Sequence, residues 1–126
     1  MCRKSELECF VKTAMSRGKD YDYRVQLIYE EYGVSLRHMV QTLNITEQTI
    51  TSGLEIMAEE ILLGEGNLSH VFVLLVFCMD LDKHCKLKEY SWYSSEMLIE
   101  IIINILWKVD FKPSPSLYSF KMCSII

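Results

Sequence analysis

Apolar residues recur along this chain at helical intervals and nowhere alternate as a strand would. Leu7, Phe10, Val11 and Ala14 stand at i, i+3, i+4 and i+7, one face of a helix. Ser5 with Glu8 reads as a capping box at its start, and Arg17-Gly18 as its stop. A second stripe of Val25, Ile28, Tyr29 and Tyr32 is closed by Gly33, and a third follows in Leu36, Met39, Val40 and Leu43. Beyond polar Asn44–Thr46 a fourth helix is expected from about Glu47, with Ile50, Leu54, Met57, Ala58 and Ile61 on one face and Glu55, Glu59 and Glu60 on the remainder.

The next segment is different in kind. Val71 to Met79 is nine residues without a charge, so a helix here is apolar all round and must be buried. It is too short to cross a bilayer, which takes roughly 20 apolar residues. Gly64 and Gly66 break the chain before it, Asn67 offers a cap, and the helix is expected from Leu68 to about Asp82. A polar loop, DKHCKLKEY, leads to Ser94 and Ser95 as candidate caps of a sixth helix with Leu98, Ile101, Ile102 and Ile105 inward. Pro113 disfavours helix at its predecessor, and a short last helix is expected around Ser116 to Met122. Seven helical stretches with one that the others must surround predict an all-α bundle about a central hydrophobic helix.

Length and composition fit one domain spanning 1–126, half of it apolar and 24% charged. A net charge of −4 gives no reason to expect nucleic acid. Lys83, Lys86 and Lys88 read as a solvated loop. The first residues carry Glu and no apolar run, so no secretory signal is expected. The five cysteines, odd in number, then read as reduced intracellular thiols. The glycosylation patterns at Asn44 and Asn67 are accordingly expected to stay unused. The tail SLYSFKMCSII is short and interrupted by Lys121, so no transmembrane anchor is expected in it.

The stretch Glu59-Glu60-Ile61, followed by Asn67-Leu68-Ser69-His70 and the aromatic Phe77, resembles the Bcl-2 apoptosis regulators. There a helix ending in Glu-Glu-Leu leads through a turn into Asn-Trp-Gly-Arg and the buried central helix. The resemblance covers roughly residues 20–112, Trp107 falling near a family Trp. The Trp, Gly and Arg of the turn are replaced, and the Gly-Gly-Trp that normally follows the sixth helix is absent. With no room for a long loop between the first helices, the chain resembles the compact homologues of large DNA viruses such as iridoviruses.

The resemblance implies a seven-helix Bcl-2 bundle with a groove for the BH3 helix of a pro-death partner, a helix-in-groove mode. Carried over by ungapped spacing, its lining falls on Ile28, Tyr32, Leu36, Met39, Met57, Ile61, Asn67, Ser69, His70, Phe72, Val73 and Phe77. The expected action is stoichiometric inhibition of apoptosis. The chain would hold the BH3 motif of a host protein such as Bim so that Bax and Bak stay inactive, in the host cytoplasm and peripherally at mitochondria. His70 stands where the family's Arg pairs with the ligand's Asp. One imidazole donor in place of a bidentate guanidinium weakens that anchor by about 1–2 kcal/mol. Asn67 either shares that carboxylate or caps the helix, and Ser69 narrows the approach. Few BH3 partners, and tighter binding at mildly acid than at mildly basic pH, are the expectations.

Other readings stay open. No P-loop, dinucleotide glycine pattern or GxSxG is present, and His84-Cys85 with Cys78 lacks zinc-site spacing. No enzyme, cofactor or metal is therefore expected. Some viral proteins of this fold instead block innate immune signalling through other surfaces, and the altered turn keeps that alternative open. The high apolar content also leaves a homodimer open.

Overall fold

In the computed structural model, which describes residues 4–118, every regular element is helical. Five α-helices follow one another: α1 (Lys4–Arg17), α2 (Tyr23–Thr42), α3 (Ile50–Leu62), α4 (Leu68–Leu87) and α5 (Ser95–Lys108). Short 3₁₀ turns occupy Gly18–Asp20 and Pro115–Leu117. The all-α class is as the periodicity predicts, and no strand occurs among the described residues. No helix of the described residues is long and apolar enough to cross a membrane.

The bundle is organised around α4. Its residues from Val71 to Leu81 are buried with one exception, the half-buried Val73. All four other helices pack on it, α2 most extensively, while α1 pairs with α5. Helix α2 runs in the same direction as α4. The Arg24 guanidinium sits 4.9 Å above the Phe72 ring near both starts, and Arg37 and Gln41 border one small cavity with Asp80 and His84 further on. At this same end of the core, Phe10 meets Phe111 at 5.4 Å and Tyr21 edge-on at 6.2 Å, and Tyr21 in turn meets the Phe72 ring. Tyr21 also donates its hydroxyl to the Leu117 carbonyl, tying the 3₁₀ turn back onto the bundle.

The helix count differs from the expectation of seven, for identifiable reasons. The second and third stripes belong to one helix, because Gly33 is buried inside α2 and does not end it. Glycine costs a helix interior about 1 kcal/mol, a loss that packing along the whole length of α4 outweighs. The chain leaves helix only at Leu43, which is extended (φ −74°, ψ 130°). Helix α3 begins at Ile50, three residues after Glu47, because Thr46 and Thr49 close a turn first. Each threonine's backbone N–H donates to the other's hydroxyl, at 2.9 and 3.2 Å, a reciprocal cap with threonine in the place of the usual acid.

Elsewhere the capping signals have mixed outcomes. Ser94 accepts from the Met97 N–H at 3.2 Å and starts α5 as expected. Ser5 lies inside α1, and Glu8 is taken by Lys12 at 2.7 Å instead of by a capping box. Gly18, at φ +60°, does end α1. Helix α4 runs on to Leu87, beyond the expected Asp82, because Leu81 and Cys85 still find core to bury in. The last predicted helix has only the turn Pro115–Leu117 among the described residues, and its remainder lies outside them. Cys9 is disulfide-bonded, against the expectation of reduced thiols throughout.

Candidate functional site

The turn into α4 is built from three adjacent devices. Leu63 (φ 55°) and Gly64 (φ 75°) take the left-handed conformation that ends α3. Gly66 passes so close to the chain after α5 that an added Cβ would lie 3.2 Å from the Phe111 Cα. Asn67 then caps α4, its side-chain oxygen accepting from Ser69 N at 2.9 Å and His70 N at 3.4 Å. Of the two roles open to Asn67, the cap is therefore in use. Asn67 and Ser69 are exposed, and His70 is half-buried with its Nδ1 buried and without a partner.

From this turn the other predicted site residues divide by depth. Phe72, Phe77 and Leu36 are in the core, at 1%, 0% and 5% exposure. Phe72 is covered by the edge of Tyr21 and by Arg24, so it supports a surface from beneath and does not form one. Ile28, Met39, Met57, Ile61 and Val73 are half-buried against that core, and Tyr32 is 49% exposed.

Register places these half-buried residues together. On α2, the flank carrying Tyr29, Gly33 and Arg37 faces a cleft beside the end of α1. Ile28, Tyr32 and Met39 stand on the opposite flank. On α3, Glu55 and Glu59 face α5, where Lys108 pairs with Glu55 at 2.9 Å. Met57 and Ile61 therefore stand on the side away from α5. Both helices rest on α4 with few contacts between them. Val73 is half-buried, and helical register puts it on the side of α4 that carries Phe77, beside α3, and Asp80, beside α2. The result is an apolar seam between α2 and α3, floored by α4, with His70 at one end.

Helix α3 is the less firmly held wall. A cavity of about 180 Å³ lies between it and α5, bordered by Ala58, Leu62 and Ile105. Another of about 80 Å³ lies at its first turns beside Phe77 and Leu81. Both spaces are open to solvent, so part of each edge of α3 is bordered by water and not by packed side chains.

Cys78 and Cys85 are buried, and burial pushes the Cys78 thiol up and that of Cys85 up to about 11. Neither is a thiolate at neutral pH. Among the described residues no group of three His, Cys, Asp or Glu could hold a metal ion.

Two features escaped the sequence reading. Asp82 accepts from the Tyr93 hydroxyl, from Ser95 Oγ at 2.7 Å and from Lys86 Nζ at 3.0 Å, pinning the start of α5 to α4. Tyr23, Leu27 and Val34 form an exposed apolar row on the outer side of α2. That row shares one helical face with Glu30 and Gln41, so the periodic signal of the inner stripe masked it. Comparison with known proteins finds no matching family model, no matching curated protein and no matching solved structure.

Proposed function

We propose that the chain binds an amphipathic helix of the BH3 type, from a host pro-apoptotic protein such as Bim, in the seam between α2 and α3. By doing so it inhibits apoptosis stoichiometrically. The observation that carries this reading is the pair of incompletely buried apolar flanks, Ile28–Tyr32–Met39 and Met57–Ile61, on two helices that both pack on α4 with few contacts between them. Such a strip accepts ligand residues at i, i+3 or i+4, and i+7. A ligand widens it by displacing α3 toward the cleft between α3 and α5. His70 at the seam's end offers the ligand's acidic residue a single donor in place of a bidentate guanidinium, and the Asn67 oxygen is committed to the cap, which fixes where its amide N–H₂ can point. The anchor is therefore weak, and selectivity among BH3 helices is narrow.

A second reading is favoured by the exposed row Tyr23, Leu27 and Val34. It makes the protein a viral modulator of innate immune signalling that docks its partner on the outer side of α2. A panel of BH3 peptides, titrated into wild type and His70→Arg, separates the two. Selective binding that broadens and tightens about tenfold in His70→Arg supports the seam, one charge-assisted contact being worth that much. Silence across the panel in both proteins supports the outer face.

A further inference from the structure

A cleft of about 620 Å³ opens on the flank of α2 opposite the seam, between α2, α4 and the turn at Gly18. Its volume lies in the range of small-molecule sites, about 300–1,000 Å³. Asp80 forms part of its wall and is 8% exposed. The Oδ2 atom of Asp80 is buried and meets no hydrogen-bond donor. A buried carboxylate oxygen without a donor is costly, and native folds rarely leave one so without a reason. Rotation about the Cβ–Cγ bond exchanges the two oxygens, so a donor arriving in the cleft can meet either.

The rest of the cleft is positive. Lys19, Arg37 and Lys83 line it, and none of the three forms a salt bridge among the described residues. The remaining lining acid, Asp82, is already taken up by Lys86, Tyr93 and Ser95. Lys83 and Arg37 act on the Asp80 charge from beyond ion-pair distance, and three cations around one carboxylate, in a chain of net charge −4, leave a positive excess that calls for a ligand with two kinds of group. It must bring an anion for the cations and a hydroxyl for the carboxylate.

We propose that this cleft binds a small phosphorylated polyol, its phosphate on Arg37, Lys83 and Lys19 and one of its hydroxyls donating to Asp80. Arg37 supplies planar, bidentate recognition of the phosphate, and the two lysines add point charges. Tyr29, half-buried in the same wall, has its hydroxyl pushed up to about 12 by burial and then by the Asp80 charge. It therefore remains a neutral donor. The ligand is either a free sugar or inositol phosphate or the headgroup of a phosphoinositide. The site is independent of helix binding in the seam.

Calorimetric titration of the full chain tests this with inositol monophosphate and inorganic phosphate, alongside capture by phosphatidylcholine vesicles with and without a phosphatidylinositol phosphate. Saturable binding of inositol monophosphate about tenfold tighter than inorganic phosphate is expected, weakened about tenfold by Arg37→Gln or Lys83→Gln. Asp80→Asn should abolish the preference for the polyol over phosphate. Capture by phosphoinositide vesicles without binding of the free headgroup assigns the lipid as source, and binding of the free headgroup assigns the soluble metabolite. Three results overturn the proposal: no binding in any arm, equal affinity for both phosphates, or affinities that neither Arg37→Gln nor Lys83→Gln changes. Lys83 is exposed, so its variant reads binding without a change in the core.

Discussion

Asp82→Asn is expected to destabilise the protein by about 2 kcal/mol at neutral pH. In the wild type this carboxylate, with a side chain only 19% exposed, accepts from Tyr93, Ser95 and Lys86. Lys86 is 61% exposed, so that ion pair contributes little, at most about 1 kcal/mol. The two hydroxyls donate to a charged acceptor, each such bond contributing about 1.5–3 kcal/mol. The amide keeps one acceptor oxygen but loses the charge and leaves one hydroxyl unmatched, hence about 2 kcal/mol and a Tm lower by roughly 8 °C for a domain of this size. Burial alone would raise the Asp82 carboxyl, but the bonds from Tyr93, Ser95 and Lys86 together hold it below its ordinary value. A carboxyl held low contributes stability that is present above the unfolded-state value, about pH 4, and is lost as pH falls through the folded-state value beneath it. Urea unfolding of both proteins from pH 7 down to acid should show the gap closing below about pH 4. A gap under 0.5 kcal/mol at pH 7, or one unchanged in strong acid, would refute the reasoning.

Three further outcomes follow from the geometry. Gly33→Ala should raise stability by about 0.5–1 kcal/mol in thermal unfolding, since the new Cβ would meet only Tyr29 Cδ1, at an ordinary 3.8 Å. A loss would mean that α2 does not run straight through this residue. Asn67→Ala should cost about 1 kcal/mol through the lost cap, read as a lower urea midpoint with an unchanged m-value. Asp80→Asn should stabilise by about 1 kcal/mol at pH 7, because burial raises this carboxyl and charging it in the fold is penalised. That penalty is absent where both states are protonated and sets in as pH rises past the ordinary carboxylate value. The gain measured by calorimetry should thus shrink on acidification.

Much of the architecture is legible in the residues themselves, and what is not has a physical cause in each case. The uncharged run from Val71 to Met79 names the central helix, since nothing but burial suits it. Asn67 and Ser94 name two helix starts, because their caps form from neighbours in the chain. Gly33 misleads because a local stop signal was weighed without the long surface of α4 that holds α2 together. Thr46 and Thr49 hide a cap because threonine serves as its own partner. The flanks of the seam can be read from the stripes, but depth cannot. Period alone does not separate Phe72 and Phe77, wholly buried, from Val73, half-exposed beside them. The cleft at Asp80 and the Asp82 network join residues distant in sequence. The one visible hint is a charge placed directly after the apolar run.

The central proposal, a helix held between α2 and α3, is tested most directly by titrating a Bim BH3 peptide into wild type and Ile61→Glu. Ile61 is half-buried, so both proteins should melt cooperatively, which thermal unfolding verifies alongside. Wild type is expected to bind saturably with a Kd of about 1 μM or tighter, equivalent to about 8 kcal/mol, and the buried charge in Ile61→Glu should weaken this at least tenfold. No saturable binding by the wild type, or equal binding by a folded Ile61→Glu, would contradict the account.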